Sequence, residues 1–269
     1  MWTLKYCPEE EFLQELCTGC GLCAEVCPSG AVQMSRGMPD FLADRCIECG
    51  HCGAYCPVNA YGLDSFASET TPCGPGELLE LMRRRRSVRK FKDKVPSEEE
   101  MKNIISVLSQ SPTGQNSQGV QVTALVGRQR VRELYSGVRR LLKILSRTGL
   151  LWLAGKLSGM SDYFRRVREG EDLVFRDAPV VLFFHVPKRN VMARTDGLIA
   201  ATYVMLHAES RGLGTLWNGV AEKIYPLVGS WHMKEFRGRR LTAVLCLGYS
   251  EAEALRPAPD RDYDILLKS

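Results

Sequence analysis

The residues best suited to chemistry are cysteines, and their spacing is regular. CTGCGLCAEVCP places Cys17, Cys20, Cys23 and Cys27 before Pro28, and CIECGHCGAYCP places Cys46, Cys49, Cys52 and Cys56 before Pro57, an internal repeat of 29 residues. Of the 11 cysteines, 10 fall at or before residue 73. Clustered thiols in a reducing compartment hold metal or carry electrons more often than they form structural disulfides. Structural zinc sites also use four thiolates, but usually as two separated CxxC pairs rather than as four cysteines in one short run.

Each run matches the CxxCxxCxxxCP pattern and resembles the two-cluster bacterial ferredoxins, in which the fourth cysteine of one run serves the other cluster. That resemblance implies two 4Fe-4S clusters, one on Cys17, Cys20, Cys23 and Cys56, the other on Cys46, Cys49, Cys52 and Cys27. Gly19, Gly21, Gly50 and Gly53 are expected to let the chain turn tightly around them. Such a segment passes single electrons and needs no substrate pocket. Cys7, Cys73 and Cys246 stand outside both runs and are given no role.

The elements that position this chemistry follow from composition. A chain of 269 residues with 45% hydrophobic and 25% charged residues is a folded protein with room for two domains. Residues 1–73 carry 10 Asp/Glu against 3 Lys/Arg, net −7, which leaves +12 on the remainder. SFASETTPCGPGE reads as a join, giving a ferredoxin-like domain at 1–73 and a second domain at 77–269. No stretch reaches the roughly 18 apolar residues of a membrane span, and the N-terminus lacks a signal-peptide pattern. A cytoplasmic protein is expected.

Beyond Glu77, LLELMRRRRSVRKF opens as a helix and runs into the arginines Arg83 to Arg86. A run of this kind can face solvent or nucleic-acid phosphates, but no nucleic-acid recognition module accompanies it, and no nucleic-acid partner is expected. RRSVRKF, Arg85 to Phe91, resembles the N-terminal signature of nitroreductase-family flavoproteins, and SPTGQNSQGVQ resembles that family's NSQP loop with Gly119 in place of proline. The resemblance implies an FMN domain of α+β class, a central mixed sheet flanked by helices. It assigns Arg85, Arg86, Ser87 and Arg89 to the FMN phosphate and ribityl chain, and Asn116, Ser117 and Gln118 to the flavin. Leu216, Trp217, Asn218 and Gly219 would contact the ring, with a close approach at Gly219, and Arg256 or Arg261 would add a further phosphate contact.

Strands are expected at Val120 to Gly127, Ala178 to Val186 and Leu241 to Tyr249. A long helix carries Leu198, Ala201, Val204, Met205 and Ala208 at helical spacing and ends at Gly212. VRELYSGVRRLLKILSRTGLLWLAGKL reads as a basic amphipathic helix. A lid or subunit-packing role is preferred to membrane contact, since packing within a protein explains the same spacing and related proteins are homodimers. His51, His185, His207 and His232 belong to no recognisable motif and are expected to be structural.

Together these readings predict an FMN-dependent oxidoreductase, fed by a donor such as reduced ferredoxin or NAD(P)H. It would reduce a small nitro, quinone or enone acceptor. The competing expectation is an electron-transfer adaptor that relays electrons to a protein partner.

Overall fold

In the computed structural model the described residues are 8–63, 74–147, 161–228, 236–252, 254, 256 and 264–267. Cys7, Cys73, the apolar residues Leu150 to Leu153, His232 and Arg261 lie outside them. The chain divides into two units, Met1–Gly74 with Gly114–Ser117, and Pro75–Thr113 with Gln118–Ser269.

The cysteine-rich unit shows its repeat in the backbone. Each copy begins with a 3-10 turn, Gln14–Leu16 or Ala43–Arg45, and later enters a one-turn helix, α1 (Leu22–Glu25) or α2 (His51–Ala54). The residues before these helices, Gly21 at φ 79° and Gly50 at φ 72°, are left-handed, a conformation glycine adopts without steric cost. Gly53 is different: it lies inside α2 and is buried. Between the copies, β1 (Val32–Ser35) pairs antiparallel with β2 (Met38–Phe41) across a two-residue turn. Arg36 and Gly37 in that turn both have positive φ, as a tight hairpin of this hand requires.

The core of this unit is small. Val32, Cys52, Ala60 and Tyr61 are buried, and Phe12, Phe41, Cys23, Cys27 and Cys56 pack around them. The rings of Phe12, Phe41 and Tyr61 meet at centroid distances of 5.4 to 6.2 Å. A unit with so few buried side chains ordinarily needs staples, and metal–thiolate bonds are one kind.

The larger unit is built on a four-stranded sheet ordered β3 (Gln121–Val126), β4 (Val180–Pro187), β6 (Arg239–Gly248), β5 (Gly214–Trp217), with every strand pair antiparallel. Its mixed character enters through one isolated parallel bridge, Ser87 to Thr215. Strand β4 is central and buried along nearly its whole length, which explains its apolar run over residues 180–184.

Successive side chains of a strand point to opposite faces, so β4 feeds two cores. Val181 and Phe183 join Val131, Tyr135 and Val138 of α5 (Arg128–Arg147), Val167 of α6 (Ser161–Glu169), and Ala221 and Tyr225 of α8 (Gly219–Val228). Val180, Leu182 and Phe184 join Met101 and Ile104 of α4 (Glu98–Ser106), and Ala200, Ala201, Val204 and Ala208 of α7 (Ala193–Ser210). The first half of the basic helix α5 thus buries its apolar stripe within its own unit. Among the described residues no helix is long and apolar enough to cross a membrane.

Two glycines allow the layers to approach. A Cβ on Gly197 of α7 would lie 2.0 Å from Thr242 Oγ1, and one on Gly214 would lie 2.3 Å from Val88 Cγ2. The remaining helix of this unit, α3 (Pro75–Arg84), carries Arg83 and Arg84 in its last turn, where basic groups complement the helix dipole. The four-arginine run therefore splits into two exposed helix-end residues and the half-buried Arg85 and Arg86 that follow.

Candidate functional site

In the cysteine-rich unit the eight thiols border two cavities, and the grouping crosses between the repeats. Cys17, Cys20, Cys23 and Cys56 line one, beside Phe12, Met34 and Tyr61. Cys27, Cys46, Cys49 and Cys52 line the other, beside Pro8, Val32 and His51. Among the described residues no three His, Cys, Asp or Glu side chains are spaced to hold a single metal ion.

Backbone N–H groups point at the sulfurs with the same repeat symmetry. Gly19 N–H donates to Cys17 Sγ and Glu48 N–H to Cys46 Sγ, both at 3.4 Å. Ala31 N–H donates to Cys27 Sγ at 3.2 Å and Ala60 N–H to Cys56 Sγ at 3.3 Å. Burial pushes the Cys27 thiol up, but hydrogen bonds from Ser29 and from backbone N–H groups outweigh it and hold the pKa below the ordinary value. A thiol so held favours the thiolate that binds metal. Burial, and then the neighbouring Cys23, keeps the Tyr61 hydroxyl protonated. The cavities therefore fit iron–sulfur cubanes: four thiols each, apolar walls and donors aimed at sulfur.

In the larger unit, two segments far apart in sequence lie side by side. Ser87 stands opposite Thr215, and Val88 N–H donates to the Thr215 carbonyl at 2.9 Å. This joins the arginine segment to β5, whose last residues are Leu216 and Trp217. Arg86 Nη1 donates to the Arg85 carbonyl at 2.7 Å. Arg86 Nη2 is buried, as is Thr215 Oγ1, and each has no hydrogen-bond partner among the described residues. Buried polar groups are ordinarily satisfied, so this corner suits a phosphate or polyol ligand. Burial raises the nearby Glu209 carboxyl, while Arg85 and Arg86 pull it down. Arg89 is exposed and donates to the Ser87 carbonyl.

The LWNG stretch divides its work. Leu216 packs into one core and Trp217 into the other, so their side chains serve the sheet. Asn218 is 4% exposed and caps α8, its Oδ1 accepting from Ala221 N–H at 2.9 Å while its Nδ2 donates to the Val174 carbonyl at 2.6 Å. Among the described residues, a Cβ on Gly219 would meet no atom within 4 Å. Gly219 makes no close approach to any described residue, and among those residues the first turn of α8 faces open space that a ligand can fill. Arg256 is exposed.

The NSQ loop is strained and divided. Gln115, Asn116 and Gln118 have φ of 53°, 50° and 44°, uncommon for residues other than glycine and often a mark of function. Asn116 and Ser117 belong to the cysteine-rich unit, Gln118 to the larger one. Asn116 Nδ2 donates to the carbonyls of Ile47 and Glu48, each at 3.0 Å. Gln118 N–H donates to Thr113 Oγ1 at 3.0 Å.

The described histidines are held structurally. Arg239 Nε donates to His185 Nδ1 at 2.7 Å, so Nδ1 is the acceptor and the proton sits on Nε2, which donates to Thr123 Oγ1 at 2.8 Å. Arg239 also donates to the Gly119 carbonyl. His207 Nδ1 donates to the Ile104 carbonyl at 3.3 Å, and His51 is exposed and stacks on Tyr55.

Comparison with known proteins agrees with this geometry. The nitroreductase family model matches residues 82–249, and a 4Fe-4S dicluster domain model matches residues 16–61. Among solved structures, a nitroreductase with bound FMN from Bacteroides fragilis NCTC 9343 is 19% identical, with a TM-score of 0.55 over 72% of this chain and 99% of that one. A nitroreductase with bound FMN from Desulfitobacterium hafniense DCB-2 is 21% identical, with a TM-score of 0.55 over 71% and 98%. Oxidized iodotyrosine deiodinase bound to FMN and 3-iodo-L-tyrosine is 20% identical, with a TM-score of 0.53 over 71% and 99%. No curated protein matches the chain. The fold and the thiol cavities define an α+β redox protein with an N-terminal 4Fe-4S domain. The family match spans well over half of the sequence, and the chain belongs to the nitroreductase family.

Proposed function

We propose that this chain is an FMN-dependent oxidoreductase that receives electrons through two 4Fe-4S clusters and reduces a small organic acceptor of nitro, quinone or enone type. The observation that carries the flavin half is the pairing of Ser87 with Thr215, which brings Arg86 Nη2 and Thr215 Oγ1, both buried and without a hydrogen-bond partner among the described residues, to one corner of the sheet. The crossed grouping of eight cysteines around two cavities carries the other half.

In this reading Arg85, Arg86, Ser87 and Arg89 bind and orient the FMN phosphate and ribityl chain. A guanidinium fork and a hydroxyl supply several donors in fixed geometry. Thr215 adds a hydroxyl, and the open first turn of α8 at Gly219 leaves room for the ring. Ser117, Gln118 and Arg256 are further described candidates for flavin contact, and Arg261 shares the C-terminal role with Arg256. Cys17, Cys20, Cys23 and Cys56 hold one cluster, and Cys27, Cys46, Cys49 and Cys52 the other. Bound FMN supplies exchange between one-electron and two-electron transfer, and the protein sets its orientation and electrostatics.

The family likeness supports a homodimer and an external donor, reduced ferredoxin or NAD(P)H. Thiolate-held clusters suit a reducing cytoplasm. The test is anaerobic turnover by the holoenzyme of a nitroaromatic, a quinone and an enone, with dithionite-reduced ferredoxin or NAD(P)H as donor. Reduction of at least one acceptor at a rate that falls when Arg86 is replaced is expected. Flavin reduction without turnover of any acceptor would instead favour a relay to a protein partner.

A further inference from the structure

The two cysteine runs are repeats, but they are not held alike. At the equivalent positions Gly19 and Glu48, 29 residues apart, the backbone N–H donates to the sulfur of the first cysteine of each run at 3.4 Å. Both residues are left-handed, Gly19 at φ 69° and Glu48 at φ 55°. Glycine takes this conformation freely, whereas a residue with a Cβ is sterically disfavoured in it. In the first run a Cβ is also barred, because it would sit 2.6 Å from the Gly37 carbonyl oxygen. The second run carries glutamate there and has a side-chain partner with no counterpart at the first run among the described residues.

That partner is Asn116. Its Nδ2 donates to the carbonyls of Ile47 and Glu48, each at 3.0 Å, bracketing the strained residue. The Ile47 carbonyl and the Glu48 N–H belong to one peptide group. Donation by Asn116 to the carbonyl end polarises that group and strengthens the hydrogen bond its N–H end makes to Cys46 Sγ, the cooperative effect expected along a chain of hydrogen bonds. The path is therefore Asn116 Nδ2–H to Ile47 O, then Glu48 N–H to Cys46 Sγ.

We infer that Asn116 is a positioning residue for the cluster bound by Cys27, Cys46, Cys49 and Cys52: it fixes the left-handed turn at Glu48 and raises that cluster's reduction potential above what the loop alone would give. Hydrogen bonds to cluster sulfur stabilise the more negative, reduced state and so raise the potential. The inference rests on the two-cluster reading and departs from the flavin contact expected of Asn116.

The experiment is a potentiometric titration followed by EPR on the full chain, anaerobically reconstituted with iron and sulfide, comparing the wild type with Asn116→Leu. The potential of one cluster, identified as the signal missing from a Cys46→Ser chain, is expected to fall while the other holds its value. Coincident titrations of wild type and variant would overturn the inference. If Asn116→Leu proves iron-poor, the double variant Asn116→Leu, Glu48→Gly removes the cost of the left-handed turn and keeps the N–H donor. The same two outcomes then apply to it. A wild type without two cubane signals would sink the two-cluster reading and this inference together, whereas two signals that do not respond to position 116 would sink this inference alone.

Discussion

Ser87 and Thr215 face one another across a parallel bridge, and this one pairing fixes where the arginine segment meets the sheet. Arg86, the residue before Ser87, leaves a buried guanidinium nitrogen without a partner among the described residues. Arg86→Gln is therefore expected to weaken FMN binding by about 1.5–3 kcal/mol, the usual range for a hydrogen bond to a charged group, or roughly 10- to 150-fold. Fluorescence titration of flavin-free protein with FMN measures it, and an unchanged Kd would remove Arg86 from the site.

Two glycines near that corner should respond in opposite ways. Gly214→Ala puts a Cβ 2.3 Å from Val88 Cγ2 and is expected to cost about 1–3 kcal/mol of stability through overpacking. Gly219→Val extends into space that contains no atom of the described residues within 4 Å of the Cβ position, so the thermal midpoint should stay near wild type while FMN affinity falls. Thermal unfolding of the FMN-free chain beside FMN titration separates the two effects, and wild-type affinity in Gly219→Val would place the ring elsewhere.

The crossed thiol grouping makes a specific iron count. Cys27 belongs to the first run but lines the cavity of Cys46, Cys49 and Cys52. Cys27→Ser should leave about four of about eight iron atoms, one complete cubane, with the same EPR signal remaining as in Cys46→Ser. Retention of the signal that Cys46→Ser loses would mean that each run holds its own cluster.

Acid should loosen the start of α4. Glu100 accepts from Tyr249 O–H and from the Ser97 backbone N–H in a capping box, and these bonds hold its carboxyl at about 2, below the ordinary 4.5. Because the folded-state pKa is depressed, the stabilisation is present above the ordinary value and is lost as pH falls through the folded one. The stability gap between wild type and Glu100→Gln should narrow as pH drops from about 6 toward 3, as read by urea unfolding. A gap that widens on acidification would contradict this.

Much of this was legible locally. The cysteine spacing, the continuous apolar run of β4 and the helical spacing of α7 each follow from short-range patterns that the folded chain obeys. Strand β5 was not, because Gly214–Trp217 is only four residues long and follows closely on Gly212, so it reads as a turn. The capping role of Asn218 had a signal in sequence, an asparagine directly before a helical stretch. The partnership of Asn116 with Ile47 and Glu48 had none, since it spans 69 and 68 residues and no periodicity encodes it. The arginine run showed charge, but only the fold separates the exposed Arg83 and Arg84 from the half-buried Arg85 and Arg86.

The most direct test of the central claim is the iron, sulfide and flavin content of anaerobically purified protein, with its visible spectrum before and after reduction. A flavoenzyme fed by two clusters predicts about eight iron, about eight sulfide and about one FMN per chain, with both chromophores bleaching on reduction. Iron and sulfide without flavin, in protein that also fails to take up added FMN, would contradict the account.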